Sequence, residues 1–210
     1  SASWPGSEGV AIAGDATLRR QSWLFAVGSS LFALATVPGF PAWAGAGAAN
    51  ALCFAGSWFF TAAAWLQLQT SDTTVRGEWS SAAVQFVGTV LFNVSTAAAL
   101  AAHATTSERR YVWAPDAAGS LAFLASAAIG LAAVVATGGL IVPRSRQWWA
   151  AVVNAVGCIA FGISAAAAHI GRTGITADQR LANLGTFVGA LCFLAAALIV
   201  LPRRPLGQAA

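Results

Sequence analysis

Residues 84–99 read VQFVGTVLFNVSTAAA, and residues 153–168 read VNAVGCIAFGISAAAA. Eight of the sixteen aligned positions are identical, including Gly88 with Gly157 and Phe92 with Phe161. Both segments are uncharged, and both lie inside longer apolar runs of the kind that form transmembrane helices. This repeated design predicts that the chain is built from variations on one membrane helix.

The unit Gly-x-x-x-Phe occurs six times, once in each of six apolar runs. Its copies are Gly28/Phe32, Gly56/Phe60, Gly88/Phe92, Gly119/Phe123, Gly157/Phe161 and Gly189/Phe193. Glycine admits a neighbouring backbone, and a phenylalanine four residues later lies on the same helix face, one turn along. We therefore interpret the unit as a helix-packing element.

Composition supports a membrane protein, because 58% of the residues are hydrophobic and only 9% are charged, against about a quarter charged in soluble domains. The predicted spans are residues 21–40, 44–69, 80–103, 117–142, 147–170 and 181–201. The predicted fold is all-α: a polytopic six-transmembrane-helix bundle at residues 19–204, between a cytoplasmic tail at 1–18 and a carboxy-terminal tail at 205–210.

Two internal symmetries fit the sequence. Helices three and five match each other, and helices two and six share Asn50/Asn183, which favours three related helical hairpins. The shared pattern Arg-Arg-x-x-Trp at residues 19–23 and 109–113 instead favours two inverted halves, as in many transporters. The hairpin interpretation is preferred because its matches are longer.

Arginine placement predicts the orientation, since loops on the cytoplasmic side carry more basic residues. Both termini are predicted to be cytoplasmic, in a bacterial plasma membrane. The inner face then holds seven arginines and the outer face four: Arg19, Arg20, Arg76, Arg144, Arg146, Arg203 and Arg204 against Arg109, Arg110, Arg172 and Arg180.

Several kinds of chemistry lack their sequence features. There is no lysine to form a Schiff base, no nucleophile elbow, no phosphate-binding loop and no basic stripe for nucleic acid. The predicted spans carry no charged side chain, whereas proton pumps and ion-coupled carriers usually keep intramembrane charges. Enzymatic activity and nucleic-acid partners are therefore not expected.

The predicted spans carry a sparse set of amides: Gln67, Gln85, Asn93, Asn154, Asn50 and Asn183. The candidate ligand-binding residues are the four asparagines of this set together with His103 and His169. The amides also fit simple interhelical hydrogen bonds. Two histidines at the ends of helices three and five fit a haem or metal only weakly, because no third ligand stands at a diagnostic spacing. No cofactor is therefore expected.

Four further segments carry a family resemblance: NALCFAGSWFFTAAAWLQLQ (50–69), YVWAPDAAGSLAFLASA (111–127), WWAAVVNAVGCIAFGIS (148–164) and LANLGTFVGALCFLAAAL (181–198). Together with residues 84–100, they resemble uncharacterised multi-pass integral membrane proteins of actinobacteria and fungi. These are distantly similar to the YrhK-like family, whose helices carry a comparable Gly-Ser-x-x-Phe signature. The resemblance implies a fold and no catalytic residues.

Function is predicted only by class. The first expectation is a non-enzymatic scaffold or accessory subunit of a membrane complex, with lipids, other membrane subunits or another copy of the chain as partners. The alternative is a carrier or channel for a small neutral or lipid-like molecule, and a weaker one is an electron-transfer subunit. A continuous polar-lined cavity that reaches mid-membrane near Asn93 and Asn154 would favour the carrier, and packing of those amides against neighbouring helices in a closed core would rule it out.

Overall fold

The structure of the protein is a computed structural model. It describes residues 5–75, 77–101, 105–139, 141–171 and 175–202, and the side chains of these residues except 5–13, 105, 137 and 138. Several residues used in the sequence predictions lie outside the described ranges: His103, Arg76, Arg172, Arg203, Arg204 and the tail at 205–210.

Six long helices dominate the described residues, among which there is no strand and one isolated β-bridge, between Ile170 and Thr176. The helices are α1 (Pro5–Thr36), α2 (Ala46–Thr70), α3 (Glu78–Ala99), α4 (Ala114–Gly138), α5 (Arg146–Ala167) and α6 (Gln179–Val200). Shorter helical segments are Phe40–Ala44, Thr105–Ser107 and a π-helix at Glu108–Trp113 that runs directly into α4. The all-α prediction is confirmed for this part of the chain.

Five of the described helices are long and apolar enough to cross a membrane, not the predicted six. They are α2, α3, α5, α6 and the continuous helix Glu108–Ala136. The remaining long helix, α1, begins at Pro5, inside the segment assigned to the tail at 1–18. Only 16 uncharged residues (21–36) separate Arg20 from the end of α1 at Thr36, which is shorter than a typical span of about 20 residues.

The charged residues before α4 correct a second expectation. A span was predicted at 117–142, with the preceding charges in a loop, but the helix that contains this candidate span begins at Glu108. Glu108, Arg109, Arg110 and Asp116 are therefore helical and not in a loop. The sequence is misleading here because a proline among four charges indicates a loop, whereas Pro115 occupies the first turn of α4 without breaking the helix.

Local signals explain where several helices begin and end. The Ser145 side chain accepts a hydrogen bond from the backbone N–H of Trp148 at the start of α5. Asp178 accepts two from the first turn of α6, as N-cap residues do. Gly77 precedes α3 with φ 92°, and Gly139 follows α4 with φ 95°, a left-handed conformation that glycine adopts without steric cost.

The six long helices form a closed ring in chain order, because each packs against its two neighbours in sequence and α1 also packs against α6. The most extensive contacts are within the three hairpins α1–α2, α3–α4 and α5–α6. One end of the ring, where α3 and α5 begin, is called here the Arg146 end. The opposite end, where α5 finishes, is called the His169 end.

Each hairpin is held by the same reciprocal contact. In α1–α2, a β-carbon on Gly28 would lie 2.7 Å from the Phe60 ring, and one on Gly56 would lie 3.0 Å from the Phe32 ring. The same exchange joins Gly88 to Phe123 and Gly119 to Phe92 in α3–α4. It returns a third time in α5–α6, with Gly157 against Phe193 and Gly189 against Phe161. The packing role predicted for Gly-x-x-x-Phe is therefore seen in all six copies.

The six phenylalanines of these units meet at the centre of the ring. Within the hairpins, the ring centroids are 5.0 to 5.7 Å apart: Phe92–Phe123 at 5.0 Å, Phe161–Phe193 at 5.2 Å and Phe32–Phe60 at 5.7 Å. Rings of different hairpins also touch, as in Phe60–Phe193 at 5.7 Å and Phe92–Phe161 at 5.7 Å. Because neighbouring helices are antiparallel, the cluster has two layers: Phe60, Phe123 and Phe193 form the layer nearer the Arg146 end, called here the Phe floor.

Small side chains fill the rest of the interior, and large aliphatic ones point outwards. The residue after each motif glycine is almost fully buried; these are Ser29, Ser57, Thr89, Ser120, Cys158 and Ala190. Val87, Leu121 and Ile159 are instead at least half exposed, at 55%, 67% and 54%. Lipid solvates such residues, so helices that pack through small side chains and present large ones outwards fit a membrane protein.

Candidate ligand-binding cavity

A cavity of about 800 Å³ lies along the axis of the ring and is lined by all six long helices. Its mouth is at the Arg146 end, where Glu78 and Arg146 line it together with Ser71 and Val75 of the loop between α2 and α3. Its deepest residues are the three rings of the Phe floor. The volume is within the range of about 300–1,000 Å³ that is typical of small-molecule sites.

Equivalent positions of the three hairpins line the cavity wall. The residues three places before the glycines of α1, α3 and α5 are Phe25, Gln85 and Asn154, and all three line the cavity. We call these three positions the amide ring, after the two amide side chains among them. Seven places before the same glycines stand Gln21, Ser81 and Ala150, which also line it. The hairpins therefore contribute the same backbone positions but different chemistry.

The two amides of the amide ring have little hydrogen bonding of their own. Gln85 Oε1 accepts one long bond from Ser126 Oγ, at 3.4 Å. Asn154 Nδ2 donates to Cys158 Sγ at 3.8 Å, on its own helix. Both side chains are half-buried and line the cavity. Each amide group can make up to four hydrogen bonds, so most of this capacity is directed at the cavity.

The mouth of the cavity carries its charged groups. Glu78 opens α3 and Arg146 opens α5, where the Arg146 guanidinium donates to the carbonyl oxygen of Leu201 at 3.0 Å. In the adjoining loop, hydrogen bonds from the side chain and the backbone of Thr74 lower the pKa of the exposed Asp72. The mouth is thus polar and of mixed charge, whereas the deep wall is uncharged.

The Phe layers separate the cavity from the His169 end. Between them is a second void of only about 10 Å³, lined by the six rings together with Ser57 and Thr89. Both hydroxyls are already bonded, Ser57 to Thr96 Oγ1 at 3.0 Å and Thr89 to the carbonyl of Phe86 at 2.7 Å. A void of this size with no free polar partner does not hold water well, so the described interior is closed at this level.

Hydrogen bonds between helices close the bundle on the far side of the Phe layers. Ser95 Oγ donates to the carbonyl of Val112 at 2.8 Å, and Ser164 Oγ donates to that of Ala182 at 2.7 Å. These two contacts occupy equivalent positions of the α3–α4 and α5–α6 hairpins, seven residues after Gly88 and Gly157. The cavity is therefore one-sided.

The sequence-predicted asparagines are placed differently from one another. Asn50 Nδ2 donates to the carbonyl of Ala99 at 3.0 Å, and Asn93 Nδ2 donates to Thr61 Oγ1 at 2.9 Å, so both join α2 to α3. Asn183 Oδ1 accepts from Gln179 one turn earlier in α6, at 3.0 Å. Asn154 is the predicted site asparagine that lines the cavity. Gln85 was not among the site residues, although residues 84–99 and 153–168 align it with Asn154.

The predicted pairing of His103 with His169 falls outside the described part of the chain, because His103 is not among the described residues. His169 is exposed, and its ring packs edge-on against Trp113, with centroids 4.6 Å apart. Trp113 Nε1 donates to the carbonyl of Ala165 at 2.9 Å. Among the described residues, no three His, Cys, Asp or Glu side chains form a group able to hold a metal ion.

Comparisons of the chain with protein-family models, with curated proteins and with solved structures find no match. The class of the protein therefore follows from its fold alone: a helical bundle with several candidate spans, which fits a protein embedded in a membrane. The resemblance to uncharacterised multi-pass membrane proteins stays a sequence-based expectation.

Proposed function

We propose that the protein is an integral membrane carrier or receptor for a small uncharged molecule, which it binds in the axial cavity. The observation that carries the proposal is the cavity itself: about 800 Å³, open at the Arg146 end, lined by Asn154 and closed by the Phe floor. A bundle whose role is only to hold helices together has no need of such a space, since protein interiors are usually close-packed.

The cavity supports the carrier over the scaffold, which are the two main function classes that the sequence left open. Packing of both Asn93 and Asn154 in a closed core was expected to rule out the carrier; Asn93 is packed against Thr61, whereas Asn154 lines the cavity. We therefore rank a carrier above a scaffold or accessory subunit. An electron-transfer subunit has weaker support, because it needs a cofactor held by His169 and His103, and His103 lies outside the described residues.

Membrane topology is part of the proposal. We propose that α1 is the sixth span, because it packs against α2 and α6. Its Gly28 contacts Phe60 in the same way that the motif glycines of the other hairpins contact their phenylalanines. Polar groups that flank its short apolar stretch are tolerated when neighbouring helices cover them. The repeated contacts also support three related hairpins over two inverted halves. We further propose a bacterial plasma membrane with both termini, and hence the cavity mouth, on the cytoplasmic side.

The proposal is tested by cysteine accessibility. A variant without native cysteines (Cys53, Cys158 and Cys192 to serine) receives one cysteine at Ala150 in the cavity wall, or at Gly47 near the His169 end as the matched control. A charged, membrane-impermeant thiol reagent is added to vesicles of each orientation. We expect the residue-150 cysteine to react only from the cytoplasmic side and the residue-47 cysteine only from the other side.

Two results would count against this proposal. Protection of the residue-150 cysteine from both sides would mean that the cavity is closed in the membrane, and labelling from the outer side alone would reverse the topology. Mass spectrometry of the gently extracted native protein complements the test, because it reports a bound small molecule, a lipid or a partner subunit. A stable complex with a second subunit and an empty cavity would favour the scaffold.

A further inference from the structure

We infer that the deep end of the cavity takes an uncharged head group of carboxamide type, hydrogen-bonded by Gln85 and Asn154, with a flat apolar body against the Phe floor. The inference rests on the proposed function, because it names the ligand class of the same cavity.

Unused hydrogen-bonding capacity is the first support. Among the described residues, Gln85 makes one long bond through Oε1 and Asn154 one through Nδ2, to sulfur. The Gln85 amide N–H groups and the Asn154 carbonyl oxygen are therefore left for a ligand or water. Gln85 thus offers donors and Asn154 an acceptor to the same cavity, so the best partner presents both kinds of group, as a carboxamide, lactam or urea does.

The charge distribution is the second support. Glu78 and Arg146 are the charged residues that line the cavity, and both are at its mouth, where α3 and α5 begin. The wall between the mouth and the Phe floor offers amides, hydroxyls and apolar groups. An ionised head group at this depth would lose its hydration without gaining a countercharge, which is costly. A neutral one loses far less.

The aromatic residues are the third support. The third member of the amide ring is Phe25, whose ring packs edge-on against Phe60 of the floor at a centroid distance of 5.4 Å. Phe25 and the Phe floor thus present aromatic surfaces beside the two amides. Rings prefer offset-stacked or edge-on partners, so this corner suits a planar apolar group attached to the hydrogen-bonding head.

Three near-isosteric probes separate these features: benzamide is neutral, benzoate is an anion and benzamidinium is a cation. Their dissociation constants for the full chain in lipid nanodiscs are measured by ligand-observed saturation-transfer NMR at pH 7. We expect benzamide to bind at least about tenfold more tightly than either ion. Loss of one hydrogen bond in Gln85→Leu or Asn154→Leu should weaken benzamide about three- to tenfold.

Two further variants serve as controls for misfolding and for non-specific effects. Asn183→Leu removes an amide at the other end of the bundle and should leave every dissociation constant unchanged. Asn154→Asp preserves the side-chain shape but adds a negative charge, and it should reverse the preference so that benzamidinium binds more tightly than benzamide. This reversal cannot arise from a loss of folding.

The outcomes distinguish the inference from the proposed function. If benzoate or benzamidinium equals benzamide, or if Asn154→Asp and Asn154→Leu leave benzamide binding unchanged, the head-group inference is wrong while the cavity remains a ligand site. If no probe binds although the residue-150 cysteine is labelled, the inference is also wrong. If neither binding nor labelling occurs, the proposed function fails with it.

Discussion

Replacing Gly185 of α6 with alanine tests whether close backbone approach holds the bundle together. A β-carbon at Gly185 would lie 2.8 Å from the carbonyl oxygen of Ala160, and 2.9 and 3.0 Å from Cβ and Cα of Ser164. All three atoms belong to the α5 backbone or are attached directly to it. None of them moves unless the two helices separate.

The expected cost follows from these distances. Ordinary van der Waals contact begins at 3.4 Å, so the helices must separate by 0.4 to 0.6 Å (3.4 − 3.0 and 3.4 − 2.8). Overpacking of this kind costs about 1–3 kcal/mol, and Ser164 Oγ makes two interhelical hydrogen bonds, to Ala182 and Thr186, both at 2.7 Å. We therefore take the upper half of that range. Alanine's higher helix propensity offsets about 1 kcal/mol, which leaves a net destabilisation of about 1–2 kcal/mol.

The free energy of unfolding is measured by SDS titration from mixed micelles, with two matched alanine variants. A β-carbon at Gly162 would meet only the end of the flexible Leu124 side chain, at 3.0 Å, so Gly162→Ala should be near neutral. A β-carbon at Gly47 would meet nothing within 4 Å, so Gly47→Ala should stabilise by up to about 1 kcal/mol. Equal effects at the three positions, or a more stable Gly185→Ala, would refute the reasoning.

Three other substitutions probe the centre and the His169 end. Phe161→Ala should cost about 3–5 kcal/mol in the same titration, because it removes a buried ring and leaves a cavity; Phe161→Leu should recover at least half. Ser164→Ala should cost about 1 kcal/mol through its lost interhelical bonds, and an unchanged midpoint would contradict their role. Trp113→Phe loses the Nε1 bond to Ala165 and should lower the melting temperature, whereas Trp43→Phe, at an 84% exposed position, should not.

The packing of the bundle was largely predictable, because Gly-x-x-x-Phe carries its own geometry. A glycine and a phenylalanine four residues apart share a helix face. In two antiparallel copies, the phenylalanine ring of each helix can therefore fill the space beside the glycine of the other. The pattern does not specify which helices are neighbours, since all six copies are alike. The ring order and the meeting of six phenylalanines on one axis therefore required the structure.

The candidate site was less predictable, because an isolated amide looks the same in sequence whether it faces a helix or a cavity. At about 100° per residue, Asn154 lies roughly 60° around its helix from Gly157, three residues later. Asn93, five residues after Gly88, lies roughly 140° from it and beyond the Phe floor. This rotation makes Asn93 a partner of Thr61. These angles predict the surroundings of an amide only when the glycine face of the helix is known to point at the hairpin partner.

The helix ends were the least predictable part. Pro115 and its charged neighbours follow the composition of a loop, yet the π-helix Glu108–Trp113 continues into α4 without a break. π-Helical turns are rare and have no dependable sequence signal. The ends of α1 and α3 were also predicted a few residues too late, since apolar residues continue past Thr36 and Ala99 into the following turns.

The one-sided cavity has an electrical consequence. In a bilayer, water that fills the space as far as the Phe floor would bring the potential of the Arg146 side deep into the protein. A membrane voltage would then fall mainly across the layers between that floor and the His169 end, rather than over the full hydrocarbon thickness of about 30 Å. The same voltage over a shorter distance gives a stronger electric field. The two layers of phenylalanine rings would then act as a thin insulating barrier.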